Sequence, residues 1–143
     1  MTDVALAVDL GGTKIEAALV DPAGVLLPGS RFRAPTGGES SSEQLAASAT
    51  SVVTQALATL PADAALVGVG IGSAGPITVD RGLVSPLNLP SWRDFPLRDH
   101  VAALVPVARW SGLQARHHAG QSDRTDVAQR EPRDRGPSMT RRR

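Results

Sequence analysis

Asp9-Leu10-Gly11-Gly12-Thr13-Lys14 combines, within six residues, the groups that phosphate chemistry uses. Two adjacent glycines let the backbone turn tightly and bring its N–H groups within reach of anionic oxygens. Thr13 adds a hydroxyl donor and Lys14 a positive charge. Asp9 would repel a phosphate directly, but a carboxylate in that place can hold Mg²⁺ or its waters, and such an ion bridges to phosphate. The spacing matches neither the Walker loop nor the three-glycine dinucleotide fingerprint, because both lead from the glycines into a helix. Here an apolar, strand-like stretch follows, so the geometry is a phosphate-binding hairpin. The same residues would also make an ordinary hairpin in which Asp9 accepts from local amides, and spacing alone does not separate the two readings.

Other residues with chemical potential carry less. Asn88, in Pro86-Leu87-Asn88-Leu89, has an amide that can both donate to and accept from a hydroxyl; an asparagine in such a loop also caps turns. His117-His118 has no cysteine and no spaced third ligand beside it, so it does not make a metal site. Asp80 and Asp94 read as loop and turn acids, not as a catalytic pair. With no cysteine in the chain, disulfides and thiolate metal sites are excluded, a structural zinc among them.

The elements that must position these residues are legible up to about Val107. Val4 to Leu10 is a short apolar run, as expected of a strand buried on both faces. Lys14 to Val20 is a second strand. Asp21-Pro22-Ala23-Gly24 is a turn, and Val25-Leu26-Leu27 opens a third strand that continues through Arg31-Phe32-Arg33. Together these predict an antiparallel three-stranded meander. Ser40 and Glu43 have capping-box spacing, followed by a helical apolar stripe of Leu45, Ala46, Val52, Val53, Leu57 and Leu60 that Pro61 ends. Ala65 to Gly72 is a glycine-rich parallel strand, whose glycines suggest close approach by a ligand or another element. A hairpin through Val79-Asp80-Arg81-Gly82 and a short helix over Pro96–Leu104 complete an α/β unit over residues 1–107.

Residues 108–143 differ in kind. The chain carries a formal charge of +1, but residues 1–108 hold six basic and ten acidic side chains, against nine basic and four acidic in residues 109–143. Leu113 and Val127 are the only large aliphatics of the second region. Such a segment buries too little apolar surface to offset the entropy of ordering it, and reads as an Arg-rich disordered tail. Arg141-Arg142-Arg143 would bind nucleic acid weakly and without sequence preference, so no specific nucleic-acid partner is expected. The acidic start and the shortness of the first apolar run give no leader and no membrane span; a cytoplasmic setting is expected.

The order of the parts resembles the ROK family of the actin-like ATPase and sugar kinase superfamily. The resemblance rests on Asp9 to Lys14 in a first hairpin, then Val67-Gly68-Val69-Gly70-Ile71-Gly72-Ser73-Ala74-Gly75-Pro76, Gly82-Leu83-Val84, Pro86-Leu87-Asn88-Leu89 and Trp92. It implies an incomplete N-terminal lobe of an actin-like ATPase (ribonuclease H-like) fold. By the resemblance, Asp9, Gly11, Gly12, Thr13 and Lys14 meet ATP phosphates and Mg²⁺. Gly75 lies in the loop lining the sugar pocket, and Asn88 bonds sugar hydroxyls. Intact relatives are often homo-oligomers.

The pattern then departs. Where the family continues into Asn-Asp, whose aspartate is the catalytic base, this chain has Ser111-Gly112. The family's Cys-rich zinc motif, second phosphate motif and adenosine loop are also missing. The reading is therefore the N-terminal fragment of an ATP-dependent hexose kinase, inactive as written, with the break near Val107 suggesting a frameshift or truncation. A sugar-sensing transcriptional regulator fragment and a nonfunctional gene remnant stand as alternatives. The start of the first strand near Val4 leaves no room for a preceding DNA-binding domain.

Overall fold

The computed structural model describes residues 2–106 and the backbone of residues 117–119. Seven strands and two helices follow in the order β1 (Thr2–Leu10), β2 (Lys14–Val20), β3 (Phe32–Pro35), α1 (Ser42–Ala58), β4 (Ala64–Ser73), β5 (Ile77–Thr78), β6 (Leu83–Val84), α2 (Leu97–Leu104) and β7 (His117–Ala119). The main sheet has the order β3-β2-β1-β4-β7. β1, β2 and β3 form the expected antiparallel meander. β4 returns through α1 to lie parallel to β1.

Period-two alternation builds the core. Val4, Leu6, Val8 and Leu10 of β1 are buried, as are Ile15, Ala17 and Leu19 of β2. A bulge at Val4/Ala5 shifts the pairing with β4. It inserts Val67, so Leu66 and Val69, three residues apart, are both buried. α1 covers this face with Leu45, Ala49, Val52, Val53 and Ala56. Trp92, Leu97 and Val101 extend the same cluster toward α2. The opposite face bears Ala5, Ala7, Gly68, Gly70 and Gly72, too small to build a second core by themselves. Gly68 and Gly70 have no atom within contact of a Cβ built there. The glycine-rich stretch of β4 therefore marks no close approach: a Cβ at Gly72 would lie at an ordinary 3.5 Å from Asp9 Oδ1.

Three local readings of the sequence need correction. Val25-Leu26-Leu27 does not open the third strand, although Leu26 makes an isolated bridge to Val20. Pro28 offers no N–H, and Gly29 takes a left-handed φ of 74°. Val25–Leu27 still pairs with β2, Leu27 N–H donating to Leu19 C=O at 2.8 Å and Asp21 N–H to Val25 C=O at 2.9 Å, and the ladder stops there: the buried Ser30 hydroxyl accepts from Leu19 N–H at 3.1 Å and donates to Leu27 C=O at 2.7 Å. β3 begins only at Phe32. The helix cap is Ser41 with Gln44, not Ser40 with Glu43. Three consecutive serines made the register ambiguous, and Ser40 is drawn out of the helix by a turn to Gly37 C=O and by Ser91 Oγ, which donates to its carbonyl at 2.6 Å. Finally, β7 forms within the segment that composition reads as tail, pairing parallel to Ile71-Gly72-Ser73. The rest of residues 107–143, with Ser111-Gly112 and Arg141–Arg143, lies outside the described residues.

Ser41→Ala should lower the unfolding free energy by about 1 kcal/mol, through loss of the capping box. Ser40→Ala should be near neutral, because Ser40 engages through its backbone. Urea-unfolding midpoints of the two variants check this.

Candidate functional site

The Gly-Gly turn sits where β1 leaves the sheet, and hydrogen bonds from three segments pin it. Gly11 N–H donates to Lys14 C=O at 2.9 Å and closes the hairpin. Ala74 N–H, just past β4, donates to Leu10 C=O at 2.9 Å. Thr36 bonds twice, its N–H to Thr13 C=O at 2.8 Å and its hydroxyl to Gly11 C=O at 3.1 Å. The carbonyls of Leu10, Gly11, Thr13 and Lys14 are thus occupied, whereas the N–H groups of Gly12 and Thr13 have no acceptor among the described residues. Free N–H groups on a fixed turn make an anion-binding concavity.

Asn88 joins this turn from a distant part of the chain. Its loop is anchored by Leu89 and Trp92, both buried, and by Arg93 Nη1, which donates to the carbonyls of Pro86, Leu89 and Trp92. Trp92 stacks on Phe95 with ring centroids 3.8 Å apart. The Asn88 side chain lies directly over Gly12: a Cβ built on Gly12 would fall 2.6 Å from Asn88 Nδ2. Asn88 is exposed, and its amide has no hydrogen-bond partner among the described residues. Gly75 lies one residue beyond Ala74, exposed, at the start of the β5–β6 hairpin. Hence Asp9, Gly11, Gly12, Thr13, Lys14 and Asn88 converge at one end of the sheet, with Gly75 at its margin. Asp94, with φ of 51°, is a turn residue whose N–H donates to Ser85 Oγ.

Electrostatics on the open face of the sheet rest on Glu16, which the sequence reading passed over. Strand register sets Glu16 between Asp9 of β1 and Arg33 of β3. Its carboxylate takes Arg31 at 2.7 Å on Oε2, and Lys14 at 3.0 Å and Arg33 at 3.2 Å on Oε1. The two Oε1 contacts are ion pairs without hydrogen-bond alignment. Three cations around one carboxylate leave a surplus of positive charge beside the turn. One of them, Arg31, lines a cavity of about 250 Å³ together with Asp9 and Glu16. The signal available in sequence was the period-two spacing of Lys14 and Glu16, with Arg31 and Arg33 on the neighbouring strand; a known register was needed to use it.

Asp9 is exposed and makes no hydrogen bond or ion pair among the described residues. No group of three metal-binding side chains occurs among them. A single free carboxylate fits a cation that arrives already coordinated by phosphate, and not one held by the protein alone.

The Arg31 hydrogen bond, then Lys14, hold the Glu16 carboxyl below the usual carboxylate range, against an opposing effect of partial burial. A lowered pKa means the folded state binds fewer protons than the unfolded chain in acid. The stabilisation is complete above the ordinary glutamate pKa and is lost as pH falls through the lowered one. The stability difference between the native chain and Glu16→Gln should therefore stay constant from neutral pH into the mildly acidic range and shrink below it. Chemical denaturation across pH reads this directly.

The ROK family pattern matches residues 5–109. An N-acetylmannosamine kinase of Yersinia pseudotuberculosis is 34% identical over 127 residues, spanning 77% of this chain and 39% of that protein. The crystal structure of a ROK family glucokinase from Streptomyces griseus, in complex with glucose and AMPPNP, superposes with a TM-score of 0.60 at 31% identity, covering 81% of this chain and 33% of that one. A ROK family transcriptional regulator, a homologue of the E. coli MLC protein, gives the same TM-score at 15% identity over 82% of this chain and 28% of that one, a likeness of fold alone. The chain thus spans well under half the length of these relatives. Among the described residues, no helix is long and apolar enough to cross a membrane. The match over most of the chain and the actin-like lobe agree: this protein belongs to the ROK family, as an α/β unit covering the N-terminal portion of its sugar kinase relatives.

Proposed function

We propose that this chain is the phosphate- and sugar-binding part of an ATP-dependent hexose kinase acting in the cytoplasm, and that it binds both ligands without transferring phosphate. The observation that carries the reading is the convergence of a turn with free N–H groups, a free carboxylate and a free amide at one end of the sheet. In this reading the Gly12 and Thr13 N–H groups and the Thr13 hydroxyl bond phosphate oxygens of ATP. Lys14 supplies charge. It can leave Glu16 without stranding that carboxylate, because Arg31 and Arg33 remain on it. Asp9 holds the Mg²⁺ that accompanies the nucleotide, and this ion would neutralise charge on the phosphates. Asn88 orients a sugar hydroxyl, with the loop at Gly75 forming the pocket edge.

Transfer needs a base beside the attacking hydroxyl. The chain carries Ser111-Gly112 where its relatives' pattern has Asn-Asp, and neither side chain accepts a proton at neutral pH. Phosphoryl transfer also depends on positioning from both sides of the substrate, whereas this chain corresponds to one lobe. Turnover above background in an ATP-coupled assay with glucose or N-acetylmannosamine would refute the inactive part of the proposal.

The binding part is tested by calorimetry with AMPPNP and Mg²⁺. Lys14→Ala should weaken nucleotide affinity about tenfold or more, the worth of a charge-assisted contact. Asp9→Asn should weaken it in the presence of Mg²⁺ and leave the metal-free affinity unchanged or improved, since it removes a like charge. Equal affinities for all three proteins would exclude phosphate binding at this turn.

A further inference from the structure

Gly12 has a role that its place in the phosphate motif does not explain. A glycine is demanded where φ is left-handed or where another group comes too close for a Cβ. Gly24, Gly29 and Gly82 meet the first condition, with φ of 81°, 74° and 67°. Gly12 does not: its φ is not left-handed. Gly12 meets the second condition, and the group that comes close belongs to Asn88. A Cβ there would fall 2.6 Å from Nδ2, 3.0 Å from Cβ and 3.3 Å from Cγ of Asn88. The neighbouring Gly11 would meet only its own hairpin, at Lys14 O, 3.3 Å away.

We infer that Gly12 is a positioning residue for Asn88: its bare Cα is the seat that fixes the amide presented to a sugar hydroxyl. The ligand half of this inference rests on the hydroxyl-binding reading of Asn88 given above. The phosphate turn and the hydroxyl-binding loop then form one unit, and the second glycine of the motif serves the sugar side. A side chain at position 12 need not break the fold, because the atom struck first is the far end of Asn88, which can rotate away, while Asn88 Cβ at 3.0 Å has to give by only a few tenths of an ångström. Rotation removes the amide from its place. Gly38 is the matched control. Its built Cβ lies at an ordinary 3.5 Å from the Asn88 backbone carbonyl, and its φ is not left-handed.

The experiment uses the full ¹⁵N-labelled chain and the variants Gly12→Ala and Gly38→Ala. A nuclear Overhauser contact between the Gly12 α-protons and the Asn88 side-chain amide is expected in the unsubstituted chain. Gly12→Ala should shift the Asn88 amide resonances and lower the affinity for glucose or N-acetylmannosamine about tenfold, the loss of one or two hydrogen bonds. Gly38→Ala should change none of these. Absence of the Overhauser contact, or unmoved Asn88 resonances in Gly12→Ala, overturns the inference. So does an unchanged sugar affinity in Gly12→Ala where the unsubstituted chain binds that sugar. Should the unsubstituted chain bind neither sugar, the hydroxyl-binding reading of Asn88 falls, and the resonances still decide whether Gly12 seats it. Should Gly12→Ala fail to fold, Gly12→Ala/Asn88→Gly must recover a folded spectrum; failure to recover counts against the seat.

Discussion

Everything at the candidate site depends on how β1 ends. Inside the sheet its backbone groups are engaged on both sides, by β2 and by β4. Past Leu10 the chain reverses, and buried backbone groups must find new partners or carry a desolvation cost. They find them in Lys14, Ala74 and Thr36, from three different segments. These bonds consume carbonyl oxygens and spare the N–H groups of Gly12 and Thr13. A turn held by its acceptors and open through its donors has a fixed shape and a net attraction for anions.

The same closure organises what surrounds the turn. Thr36 reaches Gly11 and Thr13 from the end of β3, and the next few residues lead to the Ser41 cap of α1. Ser91, in the loop that carries Asn88, bonds the Ser40 carbonyl. Loop 36–41 and loop 85–92 are thereby tied together beside the turn, and Asn88 rests on Gly12. Buried Leu89 and Trp92 root the second loop in the apolar cluster beneath. Hydrophobic burial on one face of the sheet supplies the rigidity; polar groups at its end supply the specificity.

Charge is arranged with the opposite economy. Glu16 is mostly buried among three cations, and the cations are about half exposed. Arg31 and Arg33 remain on the carboxylate from β3 and its approach when the Lys14 ammonium moves away. A flexible cation beside free N–H groups can follow an incoming anion at little cost, because its departure strands no buried charge.

By itself the sequence determined the elements whose signal is local. Alternation in Val4–Leu10 and Lys14–Val20, the turn at Asp21–Gly24 and the stripe of α1 each specify an element through period or backbone restriction, and the residue types of Asp9–Lys14 marked the hairpin where candidate chemistry lies. Where neighbours offered equal choices, sequence could not decide. Ser40 and Ser41 cap equally well until Ser91 claims the Ser40 carbonyl, and Val25–Leu27 pairs with β2 only as far as Pro28 and the left-handed Gly29, where the Ser30 hydroxyl ends the ladder. Only the tertiary structure decided that Asn88 sits on Gly12, 76 positions away along the chain, and that Glu16 gathers Lys14, Arg31 and Arg33. Such contacts follow from strand register and loop packing, which balance many weak burial energies over the whole sheet and leave no trace in any short window of residues.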